Sequence, residues 1–180
     1  EFFNIFDAGA RLWLYEHPPF NREGSDDPSQ PHILVVGIGD LGERLVVQSA
    51  RTWDASRRTP RETLSLTIID RLAESKADSL SLRYPSLEKS CDLRVLQMEI
   101  ASPPFERADF LFGNDGRGDV TSIYICIDND SLGLSASLSL RRHLRCSRVP
   151  IVIRSSHENG LVHLLQEDAG CGADQGAMHS

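Results

Sequence analysis

The sequence lacks any apolar run near the ~18–20 residues that a membrane-spanning helix requires, and no secretory signal opens it. Its four cysteines include no C-x-x-C pair, so neither a zinc site nor a disulfide scaffold is predicted. These absences predict a cytoplasmic, reduced domain. Basic residues are outnumbered by acidic ones, 19 to 26, which gives a net charge of −7. This balance argues against a nucleic-acid partner, because nucleic-acid-binding domains normally carry a basic face.

What is present suffices for one globular domain, since 40% of the 180 residues are hydrophobic. The pattern predicts an N-terminal arm and linker over 1–31, a Rossmann-like domain over 32–168 and a flexible tail over 169–180. The apolar lead before His17 is expected to be helical, and it is either an arm packed on the domain or a connection to a preceding module or partner. Because the chain begins at Glu1 rather than at methionine, it is expected to be a piece of a longer protein.

Short β-branched runs alternate with helix-period patterns from His32 onward. The continuous apolar run 33–36 is typical of a strand buried on both faces of a parallel sheet. The predicted strands are 33–36, 64–69, 93–98, 122–127 and 149–153, and the predicted helices are 41–53, 73–84, 105–112, 132–144 and 161–165. This alternation predicts an α/β fold, a Rossmann-like doubly wound parallel sheet with helices on both faces.

A G-x-G-x-x-G pattern stands between the first of these strands and the next helix. Its residues are Gly37, Ile38, Gly39, Asp40, Leu41 and Gly42. The first glycine allows a tight turn, the second lets the backbone approach a diphosphate, and the third lets helix and strand lie close. N–H groups at the helix start attract an anion. The turn therefore predicts a nucleotide site, which the carboxylates of Asp40 and Glu43 are expected to weaken by like-charge repulsion.

An acid at the end of the second strand would accept hydrogen bonds from a ribose diol, and Asp70 stands there. It lies further from Gly42 than the usual ~20 residues, which predicts a lengthened loop over 50–62. An aspartate repels a 2′-phosphate, so NAD(H) is favoured over NADP(H), although Arg71 would meet a phosphate or stack on adenine. The alternative interpretation of Asp70 is an ordinary carboxylate in a turn.

Further candidates follow the other predicted strands, whose carboxyl ends meet where open α/β sheets bind ligands. They are Glu99, Asp128, Asn129 and Arg154. The run 128–130 lacks the spacing of a calcium loop, so it is interpreted as the N-cap and turn of the next helix rather than as a cation site. Arg154 is a candidate for binding a phosphate or for forming a surface salt bridge.

Groups for catalysis are missing from the sequence. It contains no Tyr-x-x-x-Lys, no G-x-S-x-G and no phosphate-binding G-x-x-x-x-G-K-[ST]. Cys126 lies in an apolar run and is interpreted as a small core residue. The sequence therefore predicts a binding module rather than an enzyme.

The segment 32–166 resembles the TrkA-N domain, also called the RCK N-terminal domain, a nucleotide-sensing Rossmann module of potassium channels and transporters. The resemblance rests on the runs 33–42, 68–70, 125–130 and 149–154. Shorter runs at 18–20, 83–85 and 102–106 are similar to actinobacterial proteins that join a TrkA-N domain to ryanodine-receptor-type repeats.

The resemblance implies NAD(H) or another adenine nucleotide at the glycine turn and Asp70. It also implies a homodimer or higher oligomer, and control of potassium flux beside a membrane channel or transporter subunit. Two other hypotheses stay open. One is a fragment of an NAD-dependent oxidoreductase, and the other is a degenerate Rossmann domain that serves only in assembly.

Overall fold

Six strands form one sheet within the part of the chain that the structure describes. This computed structural model describes residues 5–20, 31–57, 59, 62–112, 119–144, 149–155 and the backbone of 161–163. The strands are β1 (His32–Val36), β2 (Leu64–Asp70), β3 (Cys91–Gln97), β4 (Ser122–Ile125), β5 (Ile151–Arg154) and β6 (Leu161–His163). The helices are α1 (Ile5–Glu16), α2 (Asp40–Ser56), α3 (Ala73–Arg83), α4 (Leu87–Ser90), α5 (Pro103–Arg107) and α6 (Asp130–His143), with a 3₁₀ turn at Asp109–Leu111.

The strand order is β3-β2-β1-β4-β5-β6, and the first five strands run parallel. This order places β1 at the centre, with β2 on one side and β4 on the other. The predicted α/β class and doubly wound parallel sheet are confirmed. The sixth strand differs from its neighbours, since β6 pairs antiparallel with β5.

The predicted helix over 161–165 is wrong for its described part. Leu161 pairs with Arg154 and Val162 pairs with Ile153, so the backbone of 161–163 extends the sheet. The segment Leu161–His163 is too short to carry a helical period of its own, and the edge of β5 that β4 leaves unpaired offers it backbone hydrogen-bond partners.

Helices cover both faces of the sheet because successive strand residues point to opposite sides. On one side, Ile33 and Val35 belong to a buried cluster that also holds apolar residues of α1, α2, α3 and α4. On the other side, Leu34 and Val36 belong to a second cluster, which contains Phe105 of α5 and residues of α6. The near-continuous apolar strands are therefore explained by burial on both faces.

The apolar lead forms α1 and packs on the first of these faces. Trp13 is buried and stacks on Tyr124 of β4, with ring centroids 6.3 Å apart. The Tyr124 hydroxyl donates a 2.6 Å hydrogen bond to the carbonyl oxygen of His17, just past the helix. Gln48 of α2 donates to the Oδ1 of Asp7 at 2.6 Å. These contacts pack α1 against β4 and α2.

Two predicted segments fall outside the described residues, namely the linker over 21–30 and the tail over 169–180. Among the helices that the structure describes, none combines the length and the apolar character needed to cross a bilayer. The sequence patterns did not predict the short helix α4. They also extended β4 to residue 127, whereas the strand ends at Ile125.

Candidate functional site

A cleft of about 230 Å³ opens at the carboxyl edge of the sheet, where β1 ends between β2 and β4. The connections from β1 and from β4 leave toward opposite faces at this point, which is where open α/β sheets bind their ligands. Six of the sequence-predicted residues line the cleft together, namely Gly37, Gly39, Asp70, Arg71, Glu99 and Asp128.

Two glycines of the turn are required by the protein's own packing. Gly37 has a φ of 90°, and a Cβ on it would lie 3.2 Å from the carbonyl carbon and oxygen of Cys126. A Cβ on Gly42 would lie 2.1 Å from the Gly37 carbonyl oxygen, closer than atoms approach without moving. The turn and the start of α2 therefore fit together only without side chains at these two positions.

Gly39 differs, because nothing in the part of the chain that the structure describes requires it to be a glycine. Its φ of −84° suits any residue, and a Cβ built on it would meet no atom of the described residues within 4 Å. The residue is exposed and lines the cleft. The space that the missing side chain leaves is therefore open to a group that approaches from outside.

The N terminus of α2 also faces this space. Gly39 is its N-cap, and no side chain caps it in the described part of the chain. The first N–H groups of a helix have no partner within the helix, and the helix dipole adds a partial positive charge there. This end of α2 is consequently suited to an anion such as a phosphate.

Asp70 lines the same cleft beside the glycine turn and is held by three donors. The backbone N–H of Ile38 donates to its Oδ2 at 2.9 Å, and the N–H of Leu72 donates to its Oδ1 at 2.9 Å. The ammonium of Lys76 also lies 2.8 Å from Oδ2. Burial raises the pKa of Asp70, but the hydrogen bonds from Lys76, Leu72 and Ile38 outweigh it and hold the pKa below its ordinary value. The carboxylate is therefore ionised at neutral pH.

Lys76 was missed by the sequence reasoning, although it lines the cleft. It lies in the first turn of α3, and the helix brings its ammonium back to the end of β2. The sequence did offer a signal for this residue. A lysine in the first turn of the helix that follows Asp70 is close enough to reach the end of the strand.

The two carboxylates expected to repel a diphosphate do not line the cleft. Glu43 forms an ion pair with Arg83 of α3, with 2.7 Å between the guanidinium nitrogen and the carboxylate oxygen, and the Glu43 side chain is only 15% exposed. Asp40 is exposed to solvent at the start of α2. The repulsion predicted from the sequence is reduced, because one charge is paired and the other is solvated.

The residues after β4 have structural roles as well. Asn129 is the N-cap of α6, and its Oδ1 accepts a 2.9 Å hydrogen bond from the N–H of Leu132, so the N-cap interpretation is confirmed. Arg154 forms an ion pair with Asp128, and its guanidinium carbon lies 6.0 Å from the centroid of the Phe6 ring. Of its two predicted roles, Arg154 has the salt bridge.

The side chains of two further predicted residues, Ile38 and Leu41, are buried in the core and do not line the cleft. The cleft also contains apolar residues that the site prediction omitted, namely Met98, Ile100, Cys126, Ile127 and Leu132. Burial raises the pKa of the Cys126 thiol to about 12, so this thiol is protonated at neutral pH.

No model of a known protein family matches the chain, and no curated protein matches it either. The α/β fold is shown by the strand order and the parallel pairing. The resemblance to TrkA-N domains rests on short motifs and stays a prediction.

Proposed function

We propose that the chain is a cytoplasmic regulatory domain that binds NAD(H) or another adenine nucleotide and acts as a ligand-sensing switch. Gly39 carries this proposal. Its lack of a side chain is explained neither by backbone conformation nor by crowding among the residues that the structure describes, yet Gly39 lies at the start of α2 and lines the cleft. A phosphate that approaches the backbone at this position supplies the reason.

The proposed pose follows from the residues that surround the cleft. The phosphates lie over Gly39 and the first N–H groups of α2. The ribose lies toward Asp70, and the base lies against the apolar side chains of Met98 and Ile100, which line the same cleft. A mostly apolar wall with a few directed polar groups is typical of small-molecule sites.

A binding role is favoured over a catalytic one by the chemistry of the cleft. The pKa of Cys126, about 12, leaves the thiol protonated, and a thiol is a far weaker nucleophile than a thiolate. The potassium-transport context rests on the TrkA-N resemblance alone.

The switch requires a path from the cleft to the rest of the protein, and α1 supplies a candidate. A Cβ on Gly9 of α1 would lie 3.6 Å from Leu41 in the first turn of α2. Arg154 bridges Asp128, which lines the cleft, and Phe6 of α1. A phosphate that shifts either α2 or Arg154 would therefore alter the contacts of α1.

Calorimetry with AMP, ADP, NAD and NADH tests the proposal. We expect at least one ligand to bind with a Kd below about 1 mM, and Gly39→Ala to weaken it at least about tenfold, or 1.4 kcal/mol. The urea midpoint of Gly39→Ala should match that of the wild type, since the new methyl group meets no atom of the described residues. Absence of binding, or equal binding by Gly39→Ala, contradicts the proposal.

A second candidate, assembly without ligand sensing, is favoured by one observation. Asp70 is already satisfied by donors of the protein itself, as expected where no ribose needs it. Exposed Leu134 and Leu138 lie one turn apart on α6 and would suit a homodimer or higher oligomer. Sedimentation with and without nucleotide separates the two hypotheses, because an assembly domain gives the same oligomer in both.

A further inference from the structure

We propose that the cleft prefers an adenine nucleotide whose ribose carries a 2′-phosphate, and that Lys76 is the residue that selects it. The relevant side chains are Asp70, Arg71 and Lys76, which all line the cleft and are here called the ribose end. This inference rests on the proposed nucleotide site. It reverses the preference for NAD(H) over NADP(H) that Asp70 alone predicts.

Few hydrogen-bond acceptors remain unused on Asp70 at the ribose end. An ionised carboxylate offers about four lone-pair sites. Three of those on Asp70 are taken, two on Oδ2 by Ile38 and Lys76 and one on Oδ1 by Leu72. An unphosphorylated ribose diol donates two hydrogen bonds, so it must displace Lys76 to be fully bound. The structure therefore disfavours the ligand that a free aspartate would select.

Several hydrogen-bond donors, in contrast, remain unused at the ribose end. The Lys76 ammonium has three N–H groups, of which the contact with Asp70 uses one. Arg71 is exposed, and its guanidinium makes no hydrogen bond or ion pair with any residue that the structure describes. These unused N–H donors carry positive charge. A phosphate complements them, because it is negative and offers only hydrogen-bond acceptors at neutral pH.

The charges of the cleft also bear on a phosphate. Three carboxylates line the cleft, namely Asp70, Glu99 and Asp128, and the last of them is paired with Arg154. Asp70 and Glu99 would repel a phosphate, and the two cations that line the cleft, Lys76 and Arg71, offset them. The Lys76 ammonium lies 2.8 Å from the Oδ2 of Asp70. Its positive charge therefore offsets most of the repulsion that the Asp70 carboxylate would exert on a phosphate attached to the ribose. The Lys76 side chain is 34% exposed, which leaves it room to pivot toward a phosphate while still contacting Asp70.

Titration with AMP and with adenosine 2′,5′-bisphosphate at one fixed salt concentration tests the inference. These ligands differ only in the 2′-phosphate. We expect the wild type to bind the bisphosphate about three- to fivefold more tightly, the range of a partly exposed ion pair. In Lys76→Met this preference should vanish or reverse, while AMP binds as well as before or better because Asp70 is released.

The chain supplies a matched control, since it contains only two lysines. Lys89 is exposed on α4 and does not line the cleft, so Lys89→Met should keep the wild-type preference. Should Lys76→Met fail to fold, Arg71→Met provides a second readout and should also reduce the preference. That side chain is exposed, and its loss removes donors from the same end of the cleft.

The outcomes separate the inference from the proposed function. Tighter binding of AMP than of the bisphosphate by the wild type overturns the inference and leaves the nucleotide site standing. A preference that Lys76→Met leaves unchanged does the same. If neither ligand binds the wild type, the inference fails, and the calorimetry with ADP, NAD and NADH decides the proposed function separately.

Discussion

Asp70 at the end of β2 accepts a 2.9 Å hydrogen bond from the backbone N–H of Ile38 in the glycine turn. The acid proposed to hold a ribose and the turn proposed to hold phosphates are therefore one hydrogen-bonded unit before any ligand arrives. A ligand that pulls on Asp70 also acts on the turn, which continues directly into α2. This contact is the basis for the first prediction.

Asp70→Asn should lower the free energy of unfolding at pH 7 by about 1–3 kcal/mol, because the ion pair with Lys76 and a charge-assisted backbone hydrogen bond are lost. The pKa of Asp70 is lowered from 3.8, so on acidification the unfolded chain binds this proton first. The contribution is fully present above pH 3.8 and is lost as the pH falls through the folded-state pKa.

Urea unfolding of both proteins at pH 7 and near pH 3 measures this effect. The difference between wild type and Asp70→Asn isolates one carboxylate from the others that titrate in the same range. A difference that stays constant on acidification would show that the Asp70 charge does not stabilise the fold.

Gly42→Ala should destabilise the protein by about 1–3 kcal/mol, since the new methyl group would lie 2.1 Å from a backbone oxygen of Gly37. Gly39→Ala is the matched control and should change the unfolding free energy by less than about 0.5 kcal/mol. Urea titrations of the two variants side by side provide the measurement. Equal destabilisation by both would mean that Gly39 is structural, which would remove the main support for a ligand at that position.

Tyr124→Phe should cost about 1 kcal/mol of stability and loosen α1, because the hydroxyl donates to the His17 carbonyl oxygen at 2.6 Å. Burial raises the pKa of Tyr124, so the hydroxyl stays a donor at ordinary pH. Hydrogen exchange of 5–16 should become faster. Tyr15→Phe is the control, as its side chain is exposed and should be neutral. Unchanged exchange in Tyr124→Phe would mean that other contacts alone hold α1.

Alkylation of the native protein at pH 8 should be slow at Cys91 and Cys126. Burial raises their pKa values to about 11 and about 12, which leaves little thiolate. We expect rates at least about a hundredfold below those of the same cysteines in urea, since the thiolate is the reactive form. Mass spectrometry of the digested protein resolves each site. Rapid native labelling of Cys126 would mean that the cleft exposes this thiol.

The parallel core and the glycine turn were predictable because their signals are local. Continuous apolar runs such as 33–36 can only be buried on both faces, and Gly37 is needed by its own φ of 90°. The same local pattern predicted the N-cap of α6 within the run 128–130, and the structure assigns it to Asn129. Local patterns wrongly predicted a helix at Leu161–His163. There the conformation is set by pairing with the edge of β5 and not by the residue pattern.

The partners of individual side chains could not be predicted from the sequence, because they depend on which helices and strands the fold brings together. Sequence alone placed Glu43 near a bound phosphate, yet Arg83 on α3 neutralises it. Sequence alone left Asp70 free for a ribose, yet Lys76 and the N–H of Ile38 already hold it.

The amino-acid sequence by itself determined the layered α/β architecture and the position of the glycine turn, since apolar period and backbone sterics act over a few residues. Only the tertiary structure decided the charge and the hydrogen-bonding capacity of the cleft. Those properties arise from contacts between β1, β2 and α3, whose distances no local pattern encodes.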